Sequence, residues 1–159
     1  ARRFGYIAPG DVATYGRTFS WITIETPDGA LYYKDIGVNA AQAAIAQGHS
    51  EVLRVILNHW ISKHGADGRD QHGTSVLMLA AAGGDLELVE ELLSYEVPVN
   101  ITTDVGTTAL MMAAAWDQTE CVKKLLDAGA DRSLVNGHGY TALDLALENG
   151  HQETAEVLQ

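Results

Sequence analysis

Cysteine and long apolar runs are almost absent from this sequence. Cys121 is the single cysteine among 159 residues, so the chain cannot form an internal disulfide bond. This is compatible with a reducing compartment, and we expect a cytoplasmic or nuclear location. No apolar run approaches the ~20 residues that span a bilayer, and no signal peptide is evident. Because the formal net charge is -11, an anionic membrane surface is also disfavoured, and we expect no direct binding to a membrane.

Positive charge is also scarce. The chain has 10 Lys and Arg residues against 21 Asp and Glu residues, a formal net charge of -11. Because affinity for nucleic acid depends on cations that neutralise phosphate, we exclude nucleic acid as a partner. Between Asp70 and Cys121 there is no Lys or Arg, and the acids there are Asp70, Asp85, Glu87, Glu90, Glu91, Glu96, Asp104, Asp117 and Glu120. This stretch is either a soluble acidic face or a surface that steers a basic or neutral partner.

Arrangements that carry catalysis or bind metals are missing as well. His59 and His64 are five residues apart, not the four that would place them on one helical face. The lone cysteine gives no Cys/His cluster at zinc spacing. Asp144 and Glu148 lie four residues apart, but no suitable His accompanies them, so helix capping and solubility explain them better. No Gly-rich phosphate loop with a Lys is present. We predict no metal, no cofactor and no enzymatic activity.

What the sequence does contain is an internal repeat. Hydrophobic residues make up 47% of the chain and charged residues 19%, a composition typical of globular proteins. Three matching blocks start 33 residues apart: Gly73-Thr74-Ser75-Val76-Leu77, Gly106-Thr107-Thr108-Ala109-Leu110 and Gly139-Tyr140-Thr141-Ala142-Leu143. The register continues through Glu87, Glu120 and Glu153, each of which opens a second apolar stretch. A period of this length indicates a repeat architecture.

An earlier copy of the repeat fits with an insertion. Gly37 lies 36 residues before Gly73, three more than the repeat period. We place the extra residues within 58–64. The second helix of this copy is therefore expected to continue through Trp60 and Ile61.

Each unit is predicted to form two short amphipathic helices. The second helix carries apolar residues at the spacing of one helical face, for example Leu88, Val89, Leu92 and Leu93. Thr108 and Thr141 precede the first helices and are N-cap candidates, because a hydroxyl can accept from free backbone N–H groups. Gly129 suits the left-handed residue that ends a helix. Cys121 aligns with Leu88, so we expect it to be buried as a small apolar residue.

Three segments of the last two units resemble the signature of a known family. Gly-Tyr-Thr-Ala-Leu-Asp-Leu-Ala at 139–146 resembles the ankyrin signature T-P-L-H-x-A, and the segments 125–131 and 150–153 resemble its other two blocks. The resemblance covers about residues 34–159 and implies an all-α repeat solenoid of helix-turn-helix units joined by β-turn tips. The repeats are then expected at about 34–69, 70–102, 103–135 and 136–159.

Several positions depart from the ankyrin pattern. Val76, Ala109 and Ala142 replace the Pro of T-P-L-H, and Gln42, Met78, Met111 and Asp144 replace its His. Loss of that His is expected to remove a hydrogen bond that ties neighbouring repeats in ankyrin proteins. His49 and His151 stand at the family's usual histidine of the helix–helix turn, where a structural role is implied. Because the array stops within its last outer helix and a solenoid end needs a polar cap, we expect a fragment of a longer protein.

Residues 1–33 do not match a repeat. Two apolar segments, Phe19-Ser20-Trp21-Ile22-Thr23-Ile24 and Leu31-Tyr32-Tyr33, flank the turn signal Thr26-Pro27-Asp28-Gly29. We predict a β-hairpin that covers the exposed apolar side of the first repeat. A small separate ligand-binding module is the alternative.

The resemblance implies a protein–protein interaction module that binds a protein or peptide through a concave groove and the turn tips. Trp116 lies near the end of a first helix, a position on the concave surface of ankyrin proteins. If exposed it is a natural binding anchor, and otherwise it packs over neighbouring helices. The predicted partner-binding residues are Gln71, His72, Asp104, Val105, Thr107, Trp116, His138 and Tyr140. The alternative function is a structural spacer or intramolecular docking domain of a larger protein.

Overall fold

Helices follow one another in pairs in the computed structural model, which describes residues 22–26, 29–33, 38–70 and 72–159. The pairs are α1 (Val38–Gln47) with α2 (Ser50–His64), α3 (Val76–Gly83) with α4 (Leu86–Ser94), α5 (Ala109–Ala115) with α6 (Thr119–Asp127), and α7 (Ala142–Glu148) with α8 (Gln152–Leu158). We call α1, α3, α5 and α7 the inner helices and the others the outer helices. Each inner helix packs on the next, and α4, α6 and α8 pack in the same order. The predicted all-α repeat solenoid is confirmed.

The N-caps of the inner helices show how the sequence specifies where each one begins. The hydroxyls of Thr108 and Thr141 accept from the N–H groups of Met111 and Asp144, both at 3.2 Å, which confirms the two predicted caps. Asp144 also accepts from the N–H of Thr141 at 3.0 Å. A carboxylate at the position of the family's His therefore completes a reciprocal capping box. The prediction that capping explains Asp144 is confirmed.

The second helix is longer than its counterparts, as the three-residue insertion predicts. Helix α2 has 15 residues, whereas α4 and α6 have 9 each. The extension includes Trp60, which is 6% exposed and packs into the core. Its indole lies against Gly68, where a Cβ would come within 2.9 Å of the indole Nε1. The extra turn thus adds a large apolar side chain to the core at the N-terminal end of the described repeats.

Polar side chains tie the helix–helix turns to the preceding repeat. The Nδ1–H of His151 donates to the carbonyl of Ala114 at 3.1 Å, which confirms the structural role expected for this histidine. One repeat earlier, Nε2 of Gln118 donates to the carbonyl of Ala82, also at 3.1 Å. Both bonds satisfy carbonyls at the ends of inner helices, which have no partner within the helix. Side chains of the turn thus join successive repeats.

A buried polar cluster adds a second link between the last two units. Thr154 is fully buried and donates to the carboxylate of Asp117 at 2.8 Å. The hydroxyls of Thr154 and Thr119 are 2.7 Å apart. Asp117 adopts a positive φ of 58°, a conformation uncommon for residues other than glycine. Because a buried hydroxyl needs a partner, this cluster stabilises one arrangement of the two repeats.

Cys121 lies in the core, as predicted, with 2% of its surface exposed. Burial and the negative charges of Asp85 and Glu120 raise the pKa of its thiol to about 11. We therefore expect native protein at pH 8 to react with a thiol reagent only as fast as it unfolds, because the thiolate is the nucleophile. Absorbance of released thionitrobenzoate measures the rate, and denaturant should accelerate it.

The matched control for this thiol is an added surface cysteine. Glu153 is exposed on α8, so a Glu153→Cys variant should release one equivalent at once and the second slowly. Rapid and complete labelling of the unaltered chain without denaturant would contradict the buried placement of Cys121.

The N-terminal strands form the predicted hairpin. Strand β1 (Ile22–Thr26) pairs antiparallel with β2 (Gly29–Tyr33), with Thr26 opposite Gly29. The connecting residues 27 and 28 lie outside the described residues. Whether the hairpin covers the first repeat stays a prediction. Among the described helices, none has the length and apolar character needed to cross a membrane.

Candidate partner-binding surface

Three turn tips, at residues 70–74, 103–107 and 136–140, precede the inner helices α3, α5 and α7. Each tip is closed by one backbone hydrogen bond from its first to its fifth residue, at 2.9 Å in every case. The side chains that accept backbone N–H groups of the tip are Asp70, Thr103 and Asn136, spaced 33 residues apart. Sequence reasoning did not single out these three, although their spacing and their side-chain acceptors were visible signals.

The tips are also bonded to one another. The N–H of Asp104 donates to the carbonyl of His72 at 2.9 Å, and the N–H of Gly137 donates to that of Val105 at 2.8 Å. The side chains of the same two residues are also in contact, because Nδ1 of His72 lies 3.2 Å from Oδ2 of Asp104. Both side chains are well exposed, so this pair adds little to stability. The backbone bonds, in contrast, fix the three tips as one continuous row.

Trp116 ends inner helix α5, where its backbone N–H donates to the carbonyl of Met112 at 3.2 Å. Its side chain is 44% exposed, which favours the exposed alternative over packing beneath neighbouring helices. The equivalent positions in the adjacent repeats carry Gly83 and Asn149, so neither neighbour presents a large side chain there. We call the turn tips and the inner helices with their C-terminal ends the inner surface.

The other predicted residues differ in how accessible they are. Val105 and Tyr140 are exposed by 60% and 40%, and His138 is exposed beside them. Thr107 is half-buried. Both its N–H and its carbonyl are bonded to Thr103, which closes the tip. Gln71 lies outside the described residues. The structure thus gathers Val105, His138 and Tyr140 on adjoining tips, with His72 and Asp104 continuing the row.

Charges are distributed unequally between the outer helices and the inner surface. On the outer side, the guanidinium of Arg54 lies 2.6 Å from Asp85 and 3.3 Å from Glu87, and Lys124 lies 3.3 Å from Glu90. Burial opposes ionisation of Asp85, but hydrogen bonds from Arg54 and from a backbone N–H outweigh it and lower its pKa. Carboxylates of the outer helices are therefore partly neutralised by cations from the neighbouring repeat.

The inner surface has no comparable set of cations. Helices α1, α3, α5 and α7 and the three tips contain no Lys or Arg. Arg69, which precedes the first tip, donates to the carbonyls of Gly73 and Thr102 at 3.2 and 2.9 Å. Exposed carboxylates are present at Asp104, Asp144 and Glu148. In the described part of the chain, no cluster of three or more His, Cys, Asp or Glu could hold a metal ion.

A row of capped helix pairs joined by hydrogen-bonded tips defines a class of repeat protein, and the chain belongs to the ankyrin-repeat family. The family model described as "Ankyrin repeats (3 copies)" matches residues 20–103 and 77–159. The human protein named Ankyrin repeat domain-containing protein 29 is 36% identical over 63 residues, which are 40% of this chain and 20% of that protein. The alignment thus spans about a fifth of that relative. Ankyrin repeats are generally modules of protein–protein interaction.

Proposed function

We propose that this chain is a protein-interaction module whose partner, a protein or peptide, binds along the inner surface with Trp116 as its anchor. The exposure of Trp116 at the end of α5 carries the proposal, because tryptophan is enriched among the residues that dominate interface energies. Val105, His138 and Tyr140 extend the same surface along the tips. No catalytic step is part of the proposal. We place its action inside the cell, in the cytoplasm or nucleus.

Rigidity of the inner surface supports this function. The tips are held backbone to backbone, and each inner helix packs on its neighbours, so little ordering is required when a partner binds. Ordering of loops and side chains is one of the main costs of association. A surface that is already ordered keeps more of its contact energy as affinity. Binding by the tips and inner helices is therefore favoured over binding by an unstructured segment.

The proposal is tested by affinity capture from an extract of the cells that produce the protein, with mass spectrometry to identify what is retained. The unaltered chain is compared with a Trp116→Ala, His138→Ala, Tyr140→Ala triple variant. We expect at least one protein to be captured by the unaltered chain and reduced tenfold or more with the variant, since removing interface anchors costs about 2 kcal/mol or more.

Tyr95→Ala is the matched control. Tyr95 is 59% exposed at the end of outer helix α4, so this variant removes an exposed aromatic residue outside the inner surface. It should capture the same protein as the unaltered chain. Equal capture by the triple variant would contradict the proposed site. If neither chain captures a protein, the proposal is wrong and the spacer or intramolecular docking function becomes the better explanation.

A further inference from the structure

The surroundings of Trp116 carry information about the chemistry of the partner. Trp116 is 44% exposed, and the face of an indole ring has a negative electrostatic potential that attracts cations lying over it. Asp117 follows directly, and its carboxylate accepts a hydrogen bond from buried Thr154 of outer helix α8, so that bond directs it towards the outer helix. An exposed aromatic ring on a surface that has no cation of its own suits a positively charged side chain better than an acidic one.

The next repeat places a further carboxylate along the same surface. Helix α7 packs on α5. In the 33-residue register, Glu148 at the end of α7 is equivalent to Ala115, and Asn149 is equivalent to Trp116. Glu148 is exposed, and the amide of Asn149 is turned back to the carbonyl of Leu145 at 2.7 Å. At the other edge of the surface, Asp104 is exposed on its tip. Exposed carboxylates therefore lie on the inner surface in the repeat after the anchor and on the tip before its helix.

The cations of the helices lie on the outer side of the repeats. Arg54, Lys123 and Lys124 lie on outer helices, where they pair with carboxylates. The inner helices and the tips contain no Lys or Arg, so a basic ligand would meet no repelling charge from them. The guanidinium of Arg69 is already bonded to two backbone carbonyls. The inner surface therefore carries exposed carboxylates and no Lys or Arg, which makes it complementary to positive charge.

We propose that the partner contacts this surface with a Lys- or Arg-containing peptide segment, one cation of which stacks on Trp116 while others meet the exposed carboxylates Asp104 and Glu148. This inference rests on the proposed function, since it names the chemistry of the partner at the same site. The cation–π contact is worth about 1 kcal/mol at an exposed site, which corresponds to roughly a fivefold change in affinity. The carboxylates add attraction that falls as salt rises.

Fluorescence anisotropy with a labelled peptide of alternating Arg and Gly tests the inference. The same peptide with citrulline in place of Arg keeps a planar side chain of the same length but lacks the charge. We expect the Arg peptide to bind and the citrulline peptide to bind at least tenfold more weakly. Trp116→Ala should weaken binding of the Arg peptide about fivefold.

Two double variants with the same change in net charge separate site binding from general attraction to an acidic protein. Asp104→Asn with Glu148→Gln removes carboxylates of the inner surface, and Glu153→Gln with Glu156→Gln removes exposed carboxylates of outer helix α8. The first pair should weaken binding several-fold and the second should change it by less than twofold. Equal effects of the two pairs, no effect of Trp116→Ala, or no binding of the Arg peptide would each overturn the inference.

The outcome is distinguishable from a failure of the proposed function. If the capture experiment retains a protein through Trp116, His138 and Tyr140 but the Arg peptide does not bind, the inner surface is the site and the basic chemistry is wrong. If nothing is captured through these residues, the proposed function itself is wrong. Binding of the Arg peptide that depends on Trp116 and on the inner carboxylates supports both.

Discussion

Leu125→Ala is expected to lower the free energy of unfolding by about 3 kcal/mol, because it combines lost burial with a cavity that the core cannot fill. Leu125 is 0% exposed in α6, which packs against α4, α5 and α8. The helix therefore takes part in two interfaces between repeats as well as in its own helix pair, and Leu125 is fully buried within it. Because stability in repeat proteins is approximately a sum of unit and interface terms, a loss here weakens several terms together. Urea unfolding followed by circular dichroism measures the change.

The control is the same substitution where the side chain faces solvent. Leu147 is 49% exposed on inner helix α7, and Leu147→Ala should change the free energy of unfolding by less than about 0.5 kcal/mol, because few contacts are lost. Both changes remove the same atoms and both place Ala, a strong helix former, inside a helix. A difference between the variants therefore measures burial. Similar losses would contradict the packing of α6.

The helices could be predicted from the sequence because their determinants are local. The 33-residue period fixes the register, apolar spacing gives the buried face, and Thr108 and Thr141 mark where helices begin. The longer α2 also followed from counting residues between glycines. The apolar spacing and the caps depend on residues a few positions apart in the chain, where propensity and capping act directly, and the period then repeats the same local pattern.

Exposure was harder to predict because it depends on what the neighbouring repeat presents. Ala81, Ala114 and Leu147 are equivalent positions, yet the first two are 0% exposed and Leu147 is 49% exposed. In the same way, the sequence left the exposure of Trp116 open between two alternatives. Whether an inner-helix residue is covered is decided by the adjacent unit, and a pattern within one unit does not contain that information.

Hydrogen bonds between repeats show a similar limit. The sequence indicated that the His of the T-P-L-H block was lost, but it did not indicate that Gln118 would bond to the preceding repeat as His151 does. The link between Thr154 and Asp117 was also not foreseen. These contacts join residues more than 30 positions apart, and side chains of different length can make equivalent bonds.

Gly106→Ala is also expected to have a large effect and to lower the free energy of unfolding by about 3 kcal/mol. Gly106 has a φ of 81°, where an added Cβ costs roughly 1–2 kcal/mol in any context. That Cβ would also lie 3.1 Å from the Cα of Asn136 and 3.2 Å from the N of Gly137. Both atoms belong to the backbone of the next tip, which cannot move aside without lengthening the 2.8 Å bond from Gly137 to Val105.

Gly139→Ala separates the two contributions, because Gly139 has the same φ of 81° but no atom within 4 Å of an added Cβ. We expect it to lose only the conformational cost, about 1–2 kcal/mol. The excess loss of Gly106→Ala, measured by urea unfolding of both variants, then reports the packing of one tip against the next. Equal losses would mean that the tips are not in close contact. An excess would mean that the row of tips is a packed element, whose residues a partner meets already fixed in place.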